Sequence, residues 1–232
     1  MNTYRKNAIT AGILFILGTV PAILSTPFIG AVNNDPGFLI NISANGNLIL
    51  IGALILFIAA AACAGIAISL YPVLKKYNEG LALGSVVFRI IEGVLQIAGV
   101  ISMIYLLLLS QEFVKAGAPD QSYFQTIGVI LLDGRAWVRD VLVLLTFSTG
   151  ALIYYFIFYQ TKLIPRWLSV WGLVAIALTI VASILVMFQL IRPFSLIQIV
   201  MNIAIFFQEM VFAAWLIVKG FNPSAIAKLD AG

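Results

Sequence analysis

Six stretches of this chain, residues 8–29, 48–74, 81–109, 135–159, 167–190 and 194–218, are each long and apolar enough to cross a bilayer as a helix. No other feature narrows the fold so far. Inside lipid every backbone N–H and C=O must be satisfied by the chain itself, and a helix does this within one segment. The expected class is therefore all-α: a six-transmembrane-helix membrane bundle. Composition agrees, since 62% of the 232 residues are hydrophobic and 9% charged, with a mean hydropathy of +1.11. No polar linker divides the apolar stretches into two groups, so residues 1–232 read as a single integral membrane domain.

The segments between the spans have their own signatures. Arg5 and Lys6 precede the first apolar run, which continues past Pro21 and Pro27 with no Ala-x-Ala pattern after it. It reads as a retained helix kinked at Pro21 and not as a cleaved signal peptide. Residues 30–47 carry Asn33-Asn34-Asp35-Pro36-Gly37 and are expected to form an exposed loop. Residues 122–162 are too many for one crossing, about 60 Å of helix against a hydrocarbon core of about 30 Å. Division at Asp133-Gly134 gives a short extra amphipathic helix before the fourth span. The block Ala59-Ala60-Ala61-Ala62-Cys63-Ala64-Gly65 offers small residues on several faces and predicts close helix neighbours, with Cys63 as one packing residue among them.

Lys and Arg are distributed unevenly between the two ends of a six-span chain. Arg5, Lys6, Lys75, Lys76, Lys162, Arg166, Lys219 and Lys228 fall at one end, and the loops of the other hold only Lys115 and Arg192. The basic end is expected to face the cytoplasm, together with both termini. These charges lie in short turns and not in a basic patch interleaved with aromatics, so no nucleic-acid partner is expected. The chain contains no histidine, which removes imidazole as base or metal ligand, and no metal-ligand spacing or phosphate loop is present. No cofactor or metal is expected.

Two groups of polar residues break the apolar spans. In the third span Ser85, Arg89, Glu92, Gln96, Gly99 and Met103 fall along one line at 100° per residue. A charge at the bilayer centre costs about 2.5 to 3.5 kcal/mol, so Arg89 and Glu92 must face protein or trapped water. In the sixth span Gln198, Asn202 and Glu209 share a face with Gln208 on its flank, and Glu209 lies at a depth similar to Glu92. Arg89, Glu92, Gln96, Asn202, Gln208 and Glu209 are thus candidates for a ligand-binding or proton-responsive site, or for polar glue between helices. At the outer end of the fourth span Arg135 and Arg139 stand one turn apart, with Asp133 and Asp140 on another face. Arg135, Arg139 and Asp140 are candidates for gripping an anion or a lipid headgroup, or for anchoring the helix at the interface. Tyr154, Tyr155, Thr179 and Ser183 read as packing or as bonds within their own helices.

Three readings of function stay open on these residues: a polar cavity that binds or moves a small or amphiphilic molecule, a carboxylate-based intramembrane enzyme on a lipid-like substrate, and a non-catalytic accessory or regulatory subunit. The expected partners are membrane lipid and a small-molecule or lipid-like ligand, with the oligomeric state open.

Several stretches carry a resemblance. Tyr71-Pro72-Val73-Leu74 with Asn78-Glu79-Gly80-Leu81-Ala82-Leu83-Gly84, then Arg89-Ile90-Ile91-Glu92, then Pro165-Arg166-Trp167-Leu168 with Gly172, together resemble a family of bacterial integral membrane proteins known as domain of unknown function 4386. The resemblance spans most of the chain. It implies a six-helix protein of the bacterial inner membrane and carries no activity with it.

Overall fold

Each apolar stretch forms a helix, and the polar segments between them hold more structure than their composition predicts. The computed structural model describes residues 3–30, 37–118 and 123–231, and the side chains of all of these except 26–30. The helices are α1 (Thr3–Gly30), α2 (Phe38–Ala44), α3 (Gly46–Leu74), α4 (Glu79–Lys115), α5 (Tyr123–Trp137), α6 (Leu144–Thr161), α7 (Arg166–Met187), α8 (Leu196–Val218) and α9 (Pro223–Ala231), with a π-helical turn over Val138–Val143. Six helical runs are long and apolar enough to span a membrane. The protein is an all-α, multi-pass membrane bundle.

The spans close into a ring. α1 packs on α3, α3 on α4, α4 on α6, α6 on α7, α7 on α8, and α8 returns to α1. Outward-facing Leu54, Ile68, Val94, Leu108, Val174 and Val200 are exposed, as a lipid-facing perimeter requires. The small-residue block of α3 does take neighbours on two sides. A Cβ on Gly93 of α4 would lie 2.8 Å from the Ala60 carbonyl oxygen, and one on Gly65 would lie 3.0 Å from Leu14 of α1. Close backbone approach of this kind drives helix association in lipid, where burial of apolar surface no longer does.

One end of the ring is tied by polar contacts and filled with aromatics. Phe15, Tyr154, Phe158 and Phe212 meet edge to face or tilted, with centroids 5.0 to 6.1 Å apart. Arg5 donates to the Leu216, Ile217 and Val218 carbonyls at 3.1, 2.5 and 3.1 Å, so a cation satisfies the last turn of α8. Asn222 N–H donates to the Leu163 carbonyl at 2.8 Å. Lys76 pairs with Asp230 of α9, and this hydrogen bond holds the Asp230 carboxyl below the ordinary carboxylate range. Asn78 caps α4 by accepting from Leu81 N–H at 2.9 Å. Arg5, Lys76, Lys162, Arg166 and Lys219 thereby gather at this end.

The opposite end departs from expectation in two ways. Residues 38–44 of the expected loop 30–47 form α2, whose Phe38, Leu39 and Ile42 are buried against Met103, Leu106, Leu107 and Phe113 of α4. Residues 31–36 of that loop lie outside the described residues, as do 119–122 of the loop before the fourth span. The amphipathic helix before the fourth span is present as α5, but no break occurs at Asp133-Gly134. α5, the π turn and α6 form one run over Tyr123–Thr161, about 58 Å long at 1.5 Å per residue. It outruns the bilayer because α4, at about 55 Å, does the same and lies beside it. Gly128 of α5 accepts the Phe38 ring, which a Cβ would meet at 2.7 Å.

Gly93→Ala is expected to cost about 1 to 3 kcal/mol by forcing α4 off the Ala60 carbonyl. Gly134→Ala, inside a helix with open space around the new Cβ, should instead stabilise by about 0.5 to 1 kcal/mol. Melting in detergent checks both. A loss of stability at Gly134 would restore the break there.

Candidate functional site

The polar line of α4 faces the interior of the ring, as its spacing requires. Ser85, Arg89, Glu92 and Gln96 are all buried. Ser85 Oγ donates to the Gly150 carbonyl at 3.1 Å, and Gly150 lies over the Arg89 stem, where a Cβ would meet Cγ at 3.2 Å. The Arg89 guanidinium is 2.9 Å from Glu92 Oε2 and 5.2 Å from the centre of the Phe147 ring. Glu92 Oε1 accepts from Cys63 Sγ at 3.2 Å and from Gln96 Nε2 at 3.2 Å. Cys63, expected to be a packing residue, is thus a polar contact of the buried carboxylate.

On α8 the expected face is divided between two tasks. Glu209 is 6% exposed, and its Oε2 accepts from Thr19 of α1 at 2.8 Å. Gln208 turns away from Glu209: it accepts from Tyr155 at 2.5 Å and donates to the Leu168 carbonyl at 3.2 Å, so it joins α6, α7 and α8. Gln198 accepts from Phe194 N–H at 2.6 Å and steadies the turn before α8. Asn202, two turns from Glu209, points no hydrogen-bonding atom at a described neighbour through its Oδ1.

At the other end of the site the π turn places Arg139 and Asp140 side by side. Arg139 grips Asp140 bidentately, Nε to Oδ1 at 2.8 Å and Nη2 to Oδ2 at 2.6 Å, and its guanidinium lies 3.9 Å from the Phe194 ring centre. Phe194 has φ +57°, a left-handed conformation that costs a bulky residue about 1 to 3 kcal/mol. The paired arginine face expected of Arg135 and Arg139 is therefore not free as a pair, because Arg139 is engaged by its own neighbour.

These two groups, separate in the sequence, line one cavity of about 570 Å3. Its inner part holds Thr19, Cys63, Arg89, Glu92 and Glu209, its middle Gln96 and Asn202, and its mouth Asp133, Arg135, Arg139, Asp140 and Phe194. Leu56, Leu95, Val143, Phe147, Ile205 and Phe206 are among the apolar residues of the remaining wall. The volume is that of a small-molecule pocket. Arg89 Nε, Gln96 Oε1, Asn202 Oδ1, Glu209 Oε1 and Arg135 Nε are buried and have no hydrogen-bond partner among the described residues. Each such atom costs about 1 to 3 kcal/mol, and five along one cavity mark it as a polar surface built to meet something. Of the site residues expected from the sequence, only Gln208 lies outside it. The sequence reading missed Thr19, whose one signal is a hydroxyl beside Gly18 in mid-span.

A family model described as a domain of unknown function, DUF4386, matches residues 10–220. The chain belongs to that family. The matched DUF4386 segment contains every residue of the cavity wall from Gly18 to Glu209. No curated protein and no solved structure matches the chain.

Arg89→Leu strands Glu92 in the interior, and loss of one partner of a buried pair costs about 3 to 5 kcal/mol. Arg89→Leu combined with Glu92→Gln should recover a substantial part of that loss in detergent melting. Equal stability of the single and double variants would show that the pair does not hold the site together.

Proposed function

We propose that this protein binds or moves a small or amphiphilic molecule within the membrane, and that the cavity running from the Arg135–Arg139 mouth to Glu209 is its binding site. One observation carries the reading: two polar constellations with unpartnered buried atoms face the same space of about 570 Å3. A subunit whose polar residues served only as glue would pair them with each other, since an unmet polar group in lipid costs more than an apolar one of the same size. The wall suits an amphiphile, with polar groups at intervals on a largely apolar lining. The π turn and the left-handed Phe194 at the mouth support it as well, because local departures of this kind concentrate at functional sites.

The reading takes the protein to lie in the inner membrane of a bacterium with both termini in the cytoplasm. The gathering of Arg5, Lys76, Lys162, Arg166 and Lys219 at one end supports this orientation. The mouth would then open toward the outer face, and the aromatic packing of Phe15, Tyr154, Phe158 and Phe212 would seal the cytoplasmic half.

Protein purified gently in a nonionic detergent is expected to carry a small molecule detectable by native mass spectrometry. Val143→Trp, which fills the cavity from the π turn, should remove it without changing the melting temperature by more than a few degrees. A bound species retained by the plugged variant, or no bound species in the wild type, would count against the reading.

A further inference from the structure

The charges along the cavity are not evenly matched, and the imbalance indicates what the guest carries. Arg89 is engaged by Glu92 at 2.9 Å, and Arg139 by Asp140 at 2.6 Å. Arg135 and Asp133 remain at the mouth, where Asp133 is exposed. In the interior this leaves Glu209, which has no Lys or Arg nitrogen within 4 Å among the described residues. The inner wall thus holds one guanidinium and two carboxylates. Arg89 acts on Glu209 as well as on Glu92, but one guanidinium leaves one carboxylate in excess, and a cation seated beside Glu209 removes that excess.

The unpartnered atoms agree with the charge. Thr19 occupies Glu209 Oε2, and Oε1 is free to accept. Further out, Gln96 commits its Nε2 to Cys63 and Glu92, which leaves Oε1 as its open group, and Asn202 presents Oδ1. These three open groups are acceptors, and the two open donors beside them, Arg89 Nε and Arg135 Nε, belong to guanidinium groups at the inner wall and the mouth. At 1.5 Å per residue Asn202 lies about 10 Å from Glu209 along α8. Gln96, seventeen residues into α4, and Asn202, sixteen residues before the end of α8, fall at matching depth if the two helices begin and end at one level. The wall therefore offers an acceptor with negative charge at the inner end and two neutral acceptors about two helical turns outward, between apolar side chains such as Leu95, Phe147 and Phe206.

We infer that the guest is an amphiphile with a primary ammonium head, the head at Glu209 and the apolar body along the wall toward the mouth, any further donor group meeting Gln96 and Asn202. The inference rests on the proposed binding role of the cavity and adds the chemical class of the ligand. An anionic head is disfavoured at the inner end, because it would add a third negative charge beside Glu92 and Glu209, where Arg89 is the one guanidinium among the described residues lining that end, and Arg89 is already paired with Glu92. A neutral head gains the hydrogen bonds but leaves the inner wall with one carboxylate in excess.

Cys63 is the one cysteine of the chain and lines the inner cavity, so its alkylation reports occupancy with no engineered label. Purified protein in nonionic micelles is treated with a small maleimide in the presence of decylamine, decanol or decanoate at neutral pH. Decylamine is expected to protect Cys63 at concentrations at least tenfold below those needed with decanol, and decanoate to protect least. Glu209→Gln should bring decylamine to the level of decanol. Equal protection by decanol or stronger protection by decanoate in the wild-type protein overturns the ammonium assignment while leaving an amphiphile site. A preference for decylamine that survives in Glu209→Gln overturns the placement of the head. Absence of protection by all three overturns the cavity reading itself, and with it this inference. The comparison of head groups in the wild-type protein stands even if the Gln variant is unstable.

Discussion

The ion pair between Arg89 and Glu92 sets the rest of the structure. Both groups sit within one turn of a membrane helix and are almost fully buried, at a desolvation cost their mutual attraction alone does not repay. The balance comes from around them. Cys63 and Gln96 donate to Glu92, Phe147 lies against the guanidinium, and Gly150 lets α6 close over the arginine stem. Those contacts fix the rotation of α4, since turning it by one residue would carry two charges to the lipid. With α4 fixed, Gly93 meets α3 and the ring of six helices follows from nearest-neighbour packing.

Closure of that ring is what makes a cavity out of separate polar residues. α8 returns to α1, which brings Glu209 to Thr19 and sets both opposite the α4 pair. The half of the ring nearest the basic turns is filled by aromatic rings, and the other half is not. At the mouth the π turn re-aims α6 so that Arg139 and Asp140 face the same space as the inner carboxylates. Polar atoms that would be a liability in a packed bundle then have a common surface to serve.

Much of this was legible in the sequence, and the limits were physical. The α4 stripe was visible because a regular helix repeats every 100° and the apolar background made Arg89 and Glu92 stand out. The acidic face of α8 was visible for the same reason, and the structure adds Thr19 as a partner of Glu209. The π turn over residues 138–143 was not legible on a helical wheel, because it adds a residue and shifts every face after it. The bidentate grip of Arg139 on Asp140 was for that reason not foreseen, although both residues were named with Arg135 as candidates. α2 was hidden by the turn residues just before it and by a length of only seven residues. The joining of two distant polar groups into one cavity was beyond sequence reasoning altogether, since it depends on how α8 meets α1.

The account stands on a single continuous cavity that reaches Cys63 from the mouth beside Arg135 and Arg139, which the proposed orientation turns to the outer face. The direct measurement is the rate at which a small, charged, membrane-impermeant methanethiosulfonate, added to intact cells, modifies Cys63 in the wild-type protein and in Val143→Trp. Modification of the wild type from outside, slowed at least tenfold by the plug, is the predicted result. A Cys63 untouched from outside, or modified at the same rate with the mouth filled, would contradict it.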